Sequence, residues 1–225
     1  MTPSPPQLLN DDGTASMATA FLMSHHAFRR DLGCFSRALA RLSPADGERL
    51  QALRQEWRWF RGALHGHHEM EDTRVFPHLR GERPELAATI DRLSAEHQQI
   101  DPLLSRGDQA FGESLDAPEA RAVVAQLIAL LDQHLALEEA EVVPHLRAAK
   151  GFPPPASDEE ATMYAQGFAW SSQGVAPRVL ERLNDMLSEK LKERLPAARA
   201  EFAARWQRTW QGEPTTASTT SVPAL

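Results

Sequence analysis

The sequence of 225 residues predicts an all-α protein: an antiparallel up-down-up-down four-helix bundle with additional C-terminal helices. Three observations indicate this fold. Apolar residues recur at steps of three and four in four successive stretches, which is the spacing of a bundle seam. The connections between these stretches are short, so consecutive helices are expected to run antiparallel. No stretch shows the alternation of apolar and polar residues that a half-buried strand requires.

The first two helices are predicted from two long stripes of seam positions. These stripes comprise Phe21, His25, Phe28, Leu32, Phe35, Leu39 and Leu42, followed by Leu50, Leu53, Trp57, Phe60, Leu64, His67, Glu71 and Val75. Between them, Ser43 and Pro44 predict an N-cap with proline at the first helical position. The second helix is expected to end near Gly81, and Pro77 is interpreted as a kink or a helix end.

The third and fourth helices follow the same pattern. Their stripes comprise Leu86, Ile90, Leu93, His97, Ile100 and Leu104, followed by Val124, Leu127, Leu131, His134, Glu138 and Val142. Pro84 is suited to open the third helix, and Asp116 is suited to cap the fourth, with Pro118 just inside it. Pro144 is interpreted in the same way as Pro77.

Six seam positions are polar, and they are His25, His67, Glu71, His97, His134 and Glu138. A buried ionisable group without a partner costs several kcal/mol, against a typical domain stability of about 5–15 kcal/mol. Counting residues from the predicted helix ends places most of the six within about one turn of a common level. They are therefore expected either to satisfy one another in a metal-free polar network or to hold something between them.

A repeated phrase favours the second alternative. HHEMEDTRVFPHLR at 67–80 and HLALEEAEVVPHLR at 134–147 both carry His-xxx-Glu. Residues four apart lie on one face of a helix, so each pair can point at a single site. Four imidazoles and two carboxylates suit iron, manganese or zinc. Inward Glu and His side chains on facing helices are typical of di-iron carboxylate sites in bundles.

The sequence resembles the hemerythrin-like (HHE cation-binding) family over about residues 17–149. The resemblance is carried by SHHAFRRDL, HHEMED-x-x-VFPHL, EHQQID and HLALEEAEVVPHL. It implies a four-helix bundle holding two non-haem iron ions with an oxo or hydroxo bridge, for which manganese or zinc could substitute. It also implies the ligand set, with terminal histidines and bridging glutamates: His25, His67, His97, His134, Glu71 and Glu138.

Two departures from the oxygen-carrying members of the family leave the coordination open. Leu93 stands where those proteins have a second histidine on the third helix. Glu138 follows His134 by four residues, where they have an aspartate at five. A position is therefore expected to be left for water, substrate or another side chain.

Three neighbouring residues remain alternatives for the coordination. His68 is either an additional ligand or a residue that supports a ligand or lies on the surface. Asp101, four residues after His97, is either a ligand or a solvated acid. His26 is the alternative to His25, but it lies about 100° away from the seam.

Composition and charge restrict the function classes. The formal charge of −7, with no clustered basic face, argues against nucleic acid as a partner. Cys34 is the one cysteine, which excludes an intrachain disulfide and a Cys-based metal site. No segment has the pattern of a signal peptide or a membrane span, so we expect a cytoplasmic protein with no membrane partner.

The predicted organisation has four parts. Residues 1–14 and 212–225 are expected to be disordered tails, 15–150 the bundle, and 151–211 a helical extension. In this extension, Pro177 and Pro196 are suited to open helices. The last helix carries an aromatic stripe that predicts a packing surface or a homodimer interface, and the stripe comprises Phe202, Trp206 and Trp210.

The function expected from these features is binding or sensing of O₂ or a related small ligand such as NO or H₂O₂, in oxygen handling or in oxidative or nitrosative stress. Two alternatives remain. One is a di-iron enzyme with catalase-like or NO-reducing activity. The other is an iron- or oxygen-responsive regulatory module that acts through the C-terminal helices.

Overall fold

The computed structural model describes residues 7–43, 47–149 and 154–210, and within these ranges all regular structure is helical. The helices are α1 Met17–Ala40, α2 Gly47–Met70, α3 Phe76–Glu82, α4 Ala87–Ala110, α5 Ala117–Glu141, α6 Val143–Leu146, α7 Asp158–Ser171, α8 Pro177–Asn184 and α9 Glu189–Thr209. A π-helical turn, Glu71–Val75, joins α2 to α3, and a 3₁₀ turn, Pro84–Leu86, precedes α4. The predicted all-α class is confirmed.

The described residues form two compact units. We call residues 28–43, 47–141 and 208–210 the central unit, and residues 7–27, 142–149 and 154–207 the terminal unit. The boundary crosses α1 between Ala27 and Phe28 and α9 between Gln207 and Arg208, so both helices contribute to both units.

The central unit has an aromatic cluster that we define as Phe35, Trp57, Phe60, Phe111 and Trp210. The Phe35 ring meets the other four rings edge to face, at centroid distances from 5.0 Å to Trp210 to 5.9 Å to Trp57 and Phe60. Trp57 and Phe111 stack at 4.7 Å with an interplanar angle of 3°. Each member is a predicted seam residue or lies just beyond a helix end, so seam burial gathers the rings.

A glycine allows α2 and α4 to approach closely beside this cluster. A Cβ atom added at Gly107 would lie 1.9 Å from Cζ2 of Trp57, well inside van der Waals contact. The indole is held in place because its Nε1 donates a hydrogen bond to Asp108 at 2.9 Å. Gly107 is therefore required by space at this crossing.

The ends of α5 and α1 are tied by polar contacts. Asp116 accepts a hydrogen bond from the Glu119 amide at 3.1 Å, which confirms the predicted N-cap. The Arg121 guanidinium donates two hydrogen bonds to the Leu39 carbonyl, at 3.0 and 2.7 Å, and so satisfies a carbonyl at the C-terminal end of α1. The predicted helix start at Pro44 lies outside the described residues, and α2 is described from Gly47.

The predicted second stripe is wrong at its last position. Val75 is only half-buried, whereas Phe76 and Leu79 are buried. The π turn explains the shift, because the Phe76 amide donates to the Glu71 carbonyl five residues earlier. Pro77 has no amide hydrogen and its ring crowds the preceding turn, and a wider turn accommodates both effects. The extra residue moves the seam on by one position.

The terminal unit corrects the predicted N-terminal tail. Residues 7–14 are ordered: Leu8 and Leu9 are buried, and the Asn10 amide donates to the Thr14 carbonyl. The Arg147 guanidinium donates a hydrogen bond to the Gln7 carbonyl at 2.9 Å, which ties segment 7–14 to the residue that follows α6. The polar composition of residues 1–14 does not predict that Leu8 and Leu9 are buried. The rest of this tail, 1–6, lies outside the described residues.

The C-terminal helices differ in part from those predicted. Pro177 opens α8 as expected, but Pro196 lies inside α9, which begins seven residues earlier. Burial of the flanking Leu195 and Ala198 keeps the helix continuous despite the hydrogen bond that proline removes. Helix α7 is not among the predicted helices, although Ser157 caps it by accepting a hydrogen bond from the Glu160 amide at 3.1 Å. Residues 150–153 and the predicted tail 212–225 lie outside the described residues.

The aromatic stripe of α9 is buried within the chain. Phe202 and Trp206 are each 7 % exposed and Trp210 is 2 % exposed. These side chains therefore serve as packing surface, and a homodimer built on them stays a prediction.

One helix of the described residues, α5, is long and apolar enough by length and composition to cross a membrane. Its seam residues, from Val124 to Glu138, are buried. The core helix of a soluble protein has the same character, so this finding gives no reason to place the chain in a membrane.

Candidate metal centre

The central unit brings five of the six predicted ligand residues together. His67 lies in the last turn of α2, Glu71 opens the π turn, His97 lies in α4, and His134 and Glu138 lie one turn apart in α5. All five are buried, and His67, the most accessible, is 8 % exposed. The two His-xxx-Glu phrases therefore face one interior site from two helices.

The carboxylate of Glu71 lies at the centre of this cluster. Its Oε1 is 2.9 Å from Nε2 of His67, and its Oε2 is 3.5 Å from Nε2 of His97. Nε2 of His97 is also 3.2 Å from Nε2 of His134, which lies 3.6 Å from Oε2 of Glu138. Each imidazole thus directs the same ring nitrogen, Nε2, toward the interior.

These donors form two groups that overlap at one residue. We define the His68 group as His68, Glu71, His97 and His134, whose donor atoms lie within 4.8 Å of one another. We define the His67 group as His67, Glu71 and Glu138, whose donor atoms meet the same limit. Glu71 belongs to both, which is the arrangement expected of a carboxylate shared by two adjacent ions.

His68 belongs to one of the two donor groups, although the sequence left it as an alternative to a ligand-supporting or surface residue. It is 5 % exposed, and its ring stacks on that of His97 at 4.1 Å with an interplanar angle of 15°. The HH doublet in the sequence is the signal for it, but neighbouring helical residues point about 100° apart, so periodicity alone favours one of the two. Burial from two sides allows both to face inward.

His25 is the sixth predicted ligand, and it lies in the terminal unit. It is fully buried, and its ring is 4.7 Å from that of Phe21. On the continuous helix α1 it lies three residues before Phe28, whose ring is 5.2 Å from that of His67. The alternative residue, His26, has its Nε2 3.1 Å from the Gln173 carbonyl. That hydrogen bond gives His26 a structural role and favours His25 as the ligand candidate.

The chain matches the family model described as hemerythrin HHE cation binding domain over residues 16–146. It belongs to this family. The resemblance inferred from the sequence is confirmed, and it carries the expectation of bound metal cations, typically iron. No curated protein and no solved structure was found to match the chain.

The protonation of the hemerythrin-like cluster fits a site for cations. Burial, with a smaller contribution from the charge of Asp72, raises the pKa of Glu71 well above its usual range, against a hydrogen bond with Glu138 that lowers it. Burial, and then the charge of His97, lower the pKa of His67 to about 3. His67 is therefore held as the neutral imidazole that metals bind. A cation would reverse the penalty on ionising Glu71, because its positive charge favours the carboxylate.

Other sequence candidates lie away from the cluster. Asp101 is exposed on α4, and neither donor group among the described residues includes it. His65 and His78 are exposed and His145 is half-buried, and neither donor group among the described residues includes any of the three. Leu93, the apolar residue where the resemblance implies a histidine in oxygen-carrying members of the family, is fully buried.

Proposed function

We propose that this hemerythrin-like protein holds two non-haem iron ions and binds or senses O₂ or a related small ligand such as NO or H₂O₂, in the cytoplasm. The observation that carries the proposal is the membership of Glu71 in both donor groups. A carboxylate has two oxygens, so one residue can serve two adjacent ions. Manganese and zinc are compatible with the same nitrogen and oxygen donors.

In this proposal the first ion is held by His25, His67, Glu71 and Glu138. The second is held by His68, His97, His134 and the shared Glu71. Glu138 is a second bridging candidate, because its Oε2 lies 3.6 Å from His134 as well. His25 is included because it lies one turn before Phe28 on the seam of α1, and the Phe28 ring is 5.2 Å from the His67 ring.

His68 supplies the nitrogen that Leu93 does not. The second ion then has three imidazoles and one carboxylate from the chain. These four donors would leave part of the ion's coordination free for a small external ligand. This open position distinguishes a ligand-binding centre from a closed structural one.

The proposal includes an antiparallel arrangement of α1, α2 with α3, α4 and α5. Contacts between helix ends support it. Arg80 near the end of α3 pairs with Asp91 near the start of α4 at 2.6 Å, and Arg106 near the end of α4 pairs with Glu119 near the start of α5 at 2.7 Å. The Arg121–Leu39 contact relates α5 to α1 in the same sense.

Two iron ions held by these residues would supply a reducing site for a small ligand. The chain's own residues prepare the site. Phe28 packs against His67 and Phe76 against His97, and both rings exclude water from the imidazoles. The depressed pKa of His67 keeps its nitrogen lone pair available.

Metal content after anaerobic iron loading tests the proposal. We expect two irons per chain, and less than one would contradict it. The double variant His67→Ala/Glu138→Ala should lose most of this iron, whereas His78→Ala, which changes an exposed histidine, should keep it. Azide added to the oxidised protein should change its optical spectrum, which reports the open position.

The enzymatic alternative has a separate test. If the iron-loaded protein consumed H₂O₂ or NO over many turnovers, the centre would be catalytic. Iron-loaded protein that binds azide or O₂ but consumes neither H₂O₂ nor NO would eliminate this alternative, and that is the outcome we expect.

One contact supports the regulatory alternative. His26, the neighbour of the proposed ligand His25, hydrogen-bonds the Gln173 carbonyl in the turn between α7 and α8. A shift of α1 on metal binding would therefore reach this turn. Equal protease sensitivity of residues 154–210 with and without iron would contradict that alternative.

A further inference from the structure

Two carboxylates outside the donor groups contact the outer nitrogens of two imidazoles. Nδ1 of His97 is 2.8 Å from Oδ2 of Asp72, and Nδ1 of His134 is 3.0 Å from Oε2 of Glu96. In both rings the opposite nitrogen, Nε2, is the one that faces the cluster. Each imidazole thus has an acid behind it and the interior site in front.

Both carboxylates are held in place by further contacts. The Ser94 hydroxyl donates to Oδ1 of Asp72 at 2.8 Å, and the Arg92 guanidinium donates to Oε1 of Glu96 at 2.9 Å. Ser94, Arg92 and Glu96 all belong to α4, the helix that carries His97. A hydrogen bond on the second oxygen fixes the direction of the first, so these acids are oriented toward their histidines.

The π turn gives His97 a carboxylate at each nitrogen. Glu71 and Asp72 are consecutive residues, yet Glu71 lies 3.5 Å from Nε2 and Asp72 lies 2.8 Å from Nδ1 of the same ring. The ring is also stacked between His68, at 4.1 Å, and Phe76, at 5.8 Å. Its position and its rotation are therefore both set by neighbours.

We propose that Asp72 and Glu96 are positioning residues for His97 and His134. A neutral imidazole carries a proton on one nitrogen and a lone pair on the other. A carboxylate at Nδ1 holds the proton there, so that Nε2 presents its lone pair to the second ion. The negative charge also strengthens that lone pair as a donor. This inference rests on the proposed function and assigns to each acid one histidine of the His68 group.

Metal affinity in Asp72→Asn and Glu96→Gln is the first measurement, with Zn²⁺ as the probe and a competing chelator. Both variants keep the side-chain shape and remove one negative charge. We expect each to weaken binding of one of the two Zn²⁺ ions about 10- to 100-fold, as loss of a hydrogen-bond partner behind a ligand histidine commonly does. Asp91→Asn is the matched control, because it removes the same charge from α4 at an exposed ion pair with Arg80. It should change affinity less than about twofold.

Nitrogen-15 NMR of the histidine rings provides a readout that general loosening of the fold would not reproduce. In the Zn²⁺-loaded protein, His97 and His134 should each show a protected Nδ1–H. Asp72→Ala should remove the protection of His97 and leave that of His134, and Glu96→Ala should do the opposite. Ser94→Ala keeps the charge and frees Asp72, so it should give a smaller loss of affinity; it also serves as the test if an Asp72 variant fails to fold.

The possible outcomes distinguish a failure of the positioning role from a failure of the proposed function. Two Zn²⁺ ions per wild-type chain with unchanged affinity in both charge variants would overturn the positioning role and leave the proposed function standing. Loss of both Nδ1–H signals in either alanine variant would also overturn it, because the assignment of one acid to one ring would be wrong. Less than one ion per wild-type chain would overturn the proposed function and this inference together.

Discussion

The central unit buries two clusters of rings on the same helices, and they differ in chemistry. On α2, Trp57 belongs to the aromatic cluster and His67 to the candidate metal centre, about 15 Å apart at the rise of an α-helix. The aromatic rings satisfy one another by contact alone. The imidazoles and carboxylates are equally buried, but they need protons, hydrogen bonds or a cation to offset the loss of water.

The difference separates stability from proposed function within the central unit. Burial of apolar surface stabilises the folded chain by about 25 cal/mol per Å², whereas burial of ionisable groups opposes folding. Without metal, the aromatic cluster therefore stabilises the folded central unit, and the buried ionisable groups of the candidate metal centre destabilise it. Changes in the two clusters should affect different measurements, and the following experiments test that separation.

The largest loss of stability is expected from Phe35→Ala in the aromatic cluster. Phe35 is fully buried and meets four other rings, so the truncation should lower the free energy of unfolding by about 3–5 kcal/mol. Chemical denaturation of the metal-free protein measures this. Phe35→Leu should cost less than about 1.5 kcal/mol. Folded Phe35→Ala protein that loads fewer than two irons would show that the clusters are not separable.

The metal-free protein should show opposing pH dependences from His67 and Glu71. The pKa of His67 is about 3 in the folded chain and 6.5 in the unfolded chain, so its contribution to stability is full above pH 6.5 and falls as the pH drops toward 3. The raised pKa of Glu71 acts in the other direction, because above pH 4.5 the unfolded chain ionises and the folded chain does not. Each effect is limited to about 1.4 kcal/mol per pH unit.

Single substitutions show which of the two residues causes each pH dependence of the free energy of unfolding. In denaturant titrations between pH 4 and pH 8, His67→Gln should reduce the loss of stability on acidification, and Glu71→Gln should reduce the loss on raising the pH. A pH profile identical to wild type in both variants would mean that burial does not perturb these groups as the structure indicates.

Gly107→Ala should destabilise the α2–α4 crossing by about 1–3 kcal/mol, because its Cβ would overlap the Trp57 indole. The near-UV circular dichroism of Trp57 should change with it. Gly62→Ala is the control on α2, where an added Cβ meets no atom within 4 Å. That change should be neutral or stabilising by up to about 1 kcal/mol, since alanine favours helix. Equal effects at the two glycines would contradict the packing argument.

The smallest effect is expected from Asp116→Ala, which removes the N-cap of α5. The loss should be about 1 kcal/mol, because one amide at the helix start loses its partner. Thermal denaturation measures it, and iron content should not change. An effect above about 3 kcal/mol would mean that Asp116 does more than cap the helix.

The seams of α4 and α5 are predicted correctly from the sequence because their apolar and ligand positions share one helical period. The end of the second stripe is not, since a π turn inserts a residue that periodicity does not register, and Phe76 rather than Val75 faces the core. The prolines show the same limit: Pro177 opens a helix, whereas Pro196 lies inside one, next to the buried Leu195. Local sequence patterns predict which face of a helix is buried, and tertiary packing determines where that prediction fails.

The candidate site shows a similar division. The His-xxx-Glu repeats identify four of its residues, and the stripe of α4 identifies His97. The place of His68 depends on the ring of His97, and the contacts of Asp72 and Glu96 depend on histidines from other helices. These relationships join residues 25 or more positions apart, and a single sequence carries no pattern for them. That the cluster binds iron stays a prediction.

Trp210 determines where the chain can be truncated without opening the core of the central unit. The family-matched segment ends at 146, yet this indole from beyond α9 packs at 5.0 Å against Phe35 in the central unit. A fragment limited to the matched segment would leave an indole-sized void beside that ring, at a cost of about 3–5 kcal/mol. The segment that matches the family model therefore lacks one ring of the aromatic cluster, and the core of the central unit is complete only with residues that follow the match by more than sixty positions.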